Sequence, residues 1–230
     1  MHPQRRVITQ RRAVRLALGP VTLSGDLAAA PHASGVVVFA HGSGSNRRSP
    51  RNRAVADGLQ QAGLATLLLD LLTPGEAAVD AQTARLRFDI PLLAERIVGA
   101  TDWVTHRIGA SAVGYFGAST GAAAALVAAA ERGGAVAAVV CRGGRPDLAS
   151  AALAQVRAPT LLIVGAADPV VLDLNRQAIA ALRVETRLDI VAGAGHLFEE
   201  PGALERVTLL ARDWFVRHMS APAVPRRATG

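Results

Sequence analysis

Six short apolar runs recur along the chain, at Val36–Ala40, Ala65–Leu69, Ala112–Phe116, Ala135–Val140, Thr160–Val164 and Thr186–Val191. Each is the length of a strand, and apolar character on consecutive residues means burial on both faces, as in a parallel sheet covered by helices. The segments between them carry helical features. Arg53–Ala62 is one. Asp89 reads as the N-cap of another, with Pro91 in its first turn and an end near His106. Thr120–Arg132 is rich in Ala and stops at Gly133-Gly134, and Leu172–Leu182 and Ala203–Met219 complete the set. Ahead of these units, Val14, Leu16 and Leu18, then Val21 and Leu23, alternate across Gly19-Pro20, which predicts an antiparallel hairpin. The fold class is therefore α/β: a mostly parallel central sheet of about eight strands with an N-terminal antiparallel hairpin, flanked by helices on both faces. The expected organisation is one domain over 1–219 and a frayed tail over 220–230. Thr73–Phe88 is the one candidate for a small covering loop, and no segment is long enough for a large lid domain.

Composition narrows the function classes. Aromatic residues make up only 3% of the 230, so the core must be filled mainly by Ala, Val and Leu. All 25 basic residues are Arg, and the formal net charge is +7. Such a charge attracts anions, but nucleic-acid binders concentrate it on one face or tail. Here only Arg5, Arg6, Arg11 and Arg12, the stretch Arg47–Arg53, and Arg226 and Arg227 are locally dense, which argues against a nucleic-acid partner. Cys141 is the single cysteine, so no internal disulfide and no cysteine-based zinc site can form. No continuous apolar segment resembles a signal peptide or a membrane span, and a soluble cytoplasmic location is expected.

In a parallel sheet with helices on both faces, ligands sit beyond the carboxyl ends of the strands. The polar residues that fall there are few. After the run ending at Phe116 comes Gly117-Ala118-Ser119-Thr120-Gly121, a G-x-S-x-G pentapeptide between a strand and a helix. That context suits a sharp turn that lifts a serine hydroxyl above the sheet, with the helix N-terminus aimed at the same spot. Serine is a weak nucleophile and needs a base, and the base needs an acid to fix its tautomer. Gly165-Ala166-Ala167-Asp168-Pro169 follows one strand, and Ala192-Gly193-Ala194-Gly195-His196 follows the next. The order Ser119, Asp168, His196 puts nucleophile, acid and base each at its own strand end.

The remaining histidines and carboxylates fit structural roles better. His2 and His218 lie near the ends, His32 in a loop and His106 near a helix end. Asp70, Asp173, Glu199 and Glu200 compete with Asp168; Asp70 is the best substitute because it follows a strand, while Asp173 reads as a helix cap. Phe39-Ala40-His41-Gly42-Ser43-Gly44-Ser45 follows the first parallel strand. Acyl transfer needs N–H donors for an oxyanion, and these are assigned to Ser43 and Thr120, with Gly44 the alternative to Ser43. His41 reads as a brace for this loop, with a substrate contact as the second reading.

Taken together, HGSGS, GASTG, GAADPVV and GAGHLFEEPGAL resemble the dienelactone hydrolase-like branch of the α/β-hydrolase superfamily, from about Val36 to Trp214. The resemblance implies the α/β-hydrolase fold, no metal and no organic cofactor, with Ser119, Asp168 and His196 as the catalytic residues. Dienelactone hydrolases proper carry cysteine at the elbow where this chain has Ser119, so the resemblance implies ester hydrolysis but not the dienelactone substrate. It is nearer to serine-bearing members, some similar to the hydrolase part of proteins fused to a phosphoribosyltransferase-like domain; nothing here resembles that second domain. The expected activity is serine-dependent hydrolysis of a small ester-like substrate through an acyl-enzyme. An idle scaffold that binds a ligand or partner, and acyl transfer with the same triad, are the alternatives. Two arginine-bearing loops, Asn46–Arg51 and Arg142–Arg145, follow parallel strands and suit an anionic substrate, with Arg142 the expected contact; the other reading is solvated loop charge. Cys141, beside Arg142, is read as a small buried hydrophobe.

Overall fold

The computed structural model describes residues 10–30 and 33–219. His2, His32, Arg5, Arg6, Arg226, Arg227 and the expected tail over 220–230 lie outside the described residues. Strands β1 (Gln10–Leu18) and β2 (Val21–Ala29) form the predicted hairpin, with Gly19 at φ +58° in its turn. β3 (Val36–Ala40), β4 (Ala65–Leu69), β5 (Val113–Ala118), β6 (Val136–Arg142), β7 (Thr160–Gly165) and β8 (Thr186–Val191) follow. They join one eight-stranded sheet in the order β1-β2-β4-β3-β5-β6-β7-β8. β2 meets β4 antiparallel, and every pair from β4 to β8 is parallel.

Strand alternation sorts the core into two layers. Val36, Val38 and Ala40 of β3 face one side with Tyr115 of β5; Val37 and Phe39 face the other with Phe116. The first side is covered by α3 (Ile90–Ile108), α4 (Thr120–Arg132) and the end of α5 (Pro169–Ala181). The second is covered by α1 (Pro50–Gln61) and α6 (Ala203–Met219). α4 is buried along nearly its whole length, and its run of alanines lets it lie close to the sheet beside α3. The Tyr115 hydroxyl, inside this layer, finds a partner in Thr101 Oγ1 at 2.7 Å, as a buried phenol must.

Several expectations change. Thr73–Phe88 is not a loop: α2 (Pro74–Thr83) forms there, followed by a 3-10 turn at Leu86–Phe88. Thr73 and Glu76 make a reciprocal capping box at its start. α1 begins at Pro50, with the Ser49 side chain accepting from the Asn52 N–H, not at Arg53. α5 begins at Pro169, not Leu172. β8 is not buried on both faces. It is an edge strand with Arg187 and Ile190 exposed and an Arg187–Asp189 ion pair at 2.7 Å, charges that discourage pairing with another chain. No helix among the described residues is long and apolar enough to cross a membrane.

Candidate active site

β5 ends at Ala118 and α4 begins at Thr120, so the direction of the chain must reverse at Ser119 alone. Ser119 does this at φ 52°, ψ −121°, a region costing on the order of 1–3 kcal/mol for a residue with a side chain. The surrounding structure holds it there. Its N–H donates to Arg142 O at 3.2 Å, and its carbonyl accepts from the Arg145 N–H at 3.1 Å. Two glycines make the turn fit. A Cβ on Gly117 would come within 2.4 Å of Ala122 Cα, and one on Gly121 within 2.4 Å of Ala40 O.

Asp168 and His196 come from the turns after β7 and β8, and backbone hydrogen bonds stitch those turns together. The Ala166 N–H donates to Val191 O and the Ala167 N–H to Ala194 O, both at 2.9 Å. Asp168 occupies the N-cap position of α5 without capping it; its Oδ2 instead lies 2.7 Å from His196 Nδ1. Glu200 holds the base of the histidine turn by accepting from the Gly195 N–H at 2.9 Å. Ser119 and His196 line one cavity of about 200 Å³, without a direct hydrogen bond between them.

The HGSGS loop meets the elbow through the Ser43 and Thr120 hydroxyls, 3.0 Å apart. Among the described residues, no backbone acceptor takes the Ser43 N–H, and a first helical residue such as Thr120 has no partner for its N–H in its own helix. His41 anchors the loop from beneath. Its Nε2 accepts from the Leu71 N–H at 3.1 Å, so Nδ1 carries the proton and donates to Gly42 O at 3.0 Å. Burial pushes its pKa below the ordinary 6.5, against the opposing pull of the Gly42 carbonyl and of Asp70. Both ring nitrogens are engaged within the protein, as a brace of this loop requires, and the ring also lines a cavity that reaches Ser43 and Thr120.

The other carboxylates are engaged elsewhere. Asp70 accepts from the Arg47 N–H at 2.8 Å and from its guanidinium, fixing the loop before α1. Asp173 does not cap a helix: it is exposed within α5 and pairs with Arg176 at 3.0 Å. His106, in the last turn of α3, bonds to Asp102 O, and His218 lies in the last turn of α6. Cys141 is fully buried, which pushes its thiol up to about 12 and keeps it protonated and unreactive.

Arg142 lies in the cavity that holds Ser119 and His196. It is only 7% exposed, and its Nη2 reaches Asn52 Oδ1 at a long 3.4 Å. Its Nε finds no acceptor, and its Cζ stands 5.9 Å from the Phe198 ring centroid. Burial, and then the Arg51 guanidinium nearby, lower its pKa to about 10. Sequence reasoning treated Arg51 as one of several loop charges and passed over Asn52. The Ser49-Pro50 start of α1 was the signal that would have placed both in a first turn facing this cavity. A second cavity, of about 360 Å³, shares Gly42, Ser43 and Ser45 with the first and runs beneath α2, lined by Leu72, Pro74, Ala77 and Leu93 together with His41, Asp70, Asp80 and Arg87.

The model of the family described as "Dienelactone hydrolase family" matches residues 24–214. The chain belongs to the dienelactone hydrolase family. The crystal structure of the dienelactone hydrolase from Anabaena variabilis ATCC 29413 is 58% identical, with a TM-score of 0.89 over 91% of this chain and 98% of that one. Est1E from Butyrivibrio proteoclasticus shares the fold at 15% identity, with a TM-score of 0.75 over 91% of this chain and 99% of its own. Two Mycobacterium tuberculosis proteins, from strains CDC 1551 and H37Rv and provisionally named phosphoribosyl transferases, are 54% identical over 211 residues. That alignment covers 91% of this chain and 47% of theirs, so the chain spans about half the length of these relatives. Membership of the dienelactone hydrolase family supports a hydrolase.

Proposed function

We propose that the chain is a serine-dependent ester hydrolase working through an acyl-enzyme, with Ser119 as nucleophile, His196 as base and Asp168 as the acid that orients it. The observation that carries this reading is the 2.7 Å Asp168–His196 pair in a cavity shared with a serine on a strained elbow. Asp168 fixes the proton on Nδ1, which leaves Nε2 to take the Ser119 proton. As Oγ attacks the carbonyl carbon, charge develops on the carbonyl oxygen, and the N–H groups of Ser43 and Thr120 receive it. The imidazolium then protonates the departing alkoxide, and a water activated by the same ring releases the acid. Free enzymes commonly hold the serine–histidine contact long until substrate arrives. Neutral His41 keeps the donor loop rigid without competing for protons. The substrate is a small ester, and the buried, reduced Cys141 suits a cytoplasmic setting.

The test is labelling with a fluorophosphonate probe alongside turnover of short p-nitrophenyl esters. The parent labels and turns over, and Ser119→Ala loses the label and at least about 10³-fold in kcat. A folded parent that neither labels nor turns over would overturn the esterase reading in favour of a ligand-binding scaffold. Transfer of the acyl group to an added alcohol in preference to water would point to an acyltransferase.

A further inference from the structure

Asn175 is wholly buried in α5, about two turns past Asp168. Its Nδ2 donates to Val171 O at 2.7 Å, one turn back in the same helix. It also donates to Gly144 O at 2.9 Å, across in the segment that follows β6. Carbonyls therefore engage the donor end of the amide, while Oδ1 is buried without a donor. Turning the amide over would set that oxygen against two others, so the two carbonyls fix its orientation. A buried acceptor without a partner destabilises the fold, and an apolar side chain of similar size would avoid that cost. What the amide supplies in exchange is a tie between two elements.

At the other end of this tie, residues 142–145 touch several parts of the candidate site. Arg142 O accepts from the Ser119 N–H at 3.2 Å and the Arg145 N–H donates to Ser119 O at 3.1 Å, so the segment holds the strained elbow from both sides. Gly143 turns at φ +52°, and a Cβ there would lie 3.1 Å from His196 O and 3.5 Å from its ring. A Cβ on Gly144 would meet Ala122 Cβ, in the first turn of α4, at 2.8 Å. This backbone is therefore packed between the serine, the histidine and α4. β7 holds it through the Gly143 N–H, which donates to Ile163 O at 2.8 Å. Among the described residues, Asn175 is the one side chain that bonds to its backbone.

We propose that Asn175 is a positioning residue, joining α5, which carries Asp168 at its start, to residues 142–145, which hold Ser119. The assignment rests on the esterase reading given above. Asn175 touches no reacting atom. It acts by keeping the acid-bearing helix and the serine elbow in one fixed relation, with the histidine turn between them. Without the bond to Gly144 O, the segment is free to shift with the elbow. Ser119 Oγ then departs from its line to His196 and to the carbonyl carbon, which slows attack while the same groups still react.

The experiment follows fluorophosphonate labelling and p-nitrophenyl butyrate turnover in the parent, Asn175→Leu and Asn175→Ser. Serine is too short to reach Gly144 but can still bond Val171 O within the helix, so it separates the tie from the local bond. Both variants are expected to lose about 10-fold or more in kcat and in labelling rate, with KM within about 2-fold of the parent's. Both also label to the parent's final extent, because every molecule is folded and merely slower. Gln60→Leu removes another buried amide, bonded to Thr66 at 2.8 Å near the start of β4, away from the site. Its rates stay within about 2-fold of the parent's. Hydrogen exchange reads the tie without activity. The Gly143 and Arg145 N–H groups lose protection in both variants, and the Val139 N–H, bonded to Pro159 O in β6, keeps it. Parent-like rates in Asn175→Leu or in Asn175→Ser overturn the proposal, as does labelling at the parent's rate to a reduced extent. If Asn175→Leu does not fold, Asn175→Ser decides. If the parent neither labels nor turns over, the esterase reading fails, and exchange decides the tie alone: lost protection at Gly143 and Arg145 supports it, and unchanged protection refutes it.

Discussion

Asp168 stands at the N-cap of α5, where a carboxylate ordinarily accepts from the first amides of its own helix, yet its oxygen turns to His196. Removing its charge should therefore affect chemistry more than folding. Asp168→Asn is expected to lower kcat by about 10³- to 10⁴-fold, because an amide favours the wrong imidazole tautomer. Its melting temperature should stay within a few degrees of the parent's, which calorimetry would check. His41 makes the opposite case. Burial holds its folded-state pKa below 6.5, so as pH falls through about 6.5 the unfolded chain takes up a proton that the folded chain refuses. Stability is whole above that pH and declines below it; His218, also lowered by burial, adds a contribution of the same sign. The melting temperature should drop between pH 7.5 and 5.5, and His41→Gln should show a shallower drop; an equal slope in both would disprove the role of His41. Ser119, Asp168 and His196 could be singled out in the sequence because Ser119 directly follows β5 and the other two lie in the short turns after β7 and β8. Asp173 was misread because Pro169 was not taken as a first helical residue, where its missing N–H costs nothing.

At the scale of elements, the elbow is a fit between backbones as much as a strained turn. Gly121 lies where any side chain would strike the Ala40 and His41 carbonyls, at 2.4 and 2.5 Å. Gly121→Ala is expected to cost about 1–3 kcal/mol in denaturant unfolding and to lower esterase activity even at temperatures where the variant stays folded. The strands and the end of α4 were readable because continuous apolar runs and glycine stops are strong local signals. α2 was not. Asp80 is its one buried residue, so it shows no apolar stripe, and ion pairs to the segments that follow it hold it in place. Arg96 reaches Glu76 at 3.1 Å and Arg87 holds Asp80 at 2.7 Å. The Thr73-x-x-Glu76 box was the local cue that could have revealed it. β8 was mistaken for an interior strand because position in a sheet is a tertiary property, although Arg187 and Asp189 already broke its apolar run.

At the scale of the molecule, the sequence displayed alternating units but not their order in space. β3 lies between β4 and β5, so chain segments far apart in sequence meet above its carboxyl end. Asp168 and His196 are 28 residues apart, Ser43 and Thr120 77, Asn52 and Arg142 90, and Arg51 and Glu199 148. Every one of these contacts closes a long loop, and loops of that size close slowly because their entropy is lost before any contact repays it. Helices such as α4 need no such closure. On dilution from denaturant, far-ultraviolet dichroism should therefore recover ahead of ester turnover, and turnover should return in the same phase as burial of Trp214 beneath the sheet. Coincident recovery of all three signals would contradict this. On the esterase reading, a site whose residues run from Ser43 to His196 offers no working fragment, and activity would report that β8 has found its place.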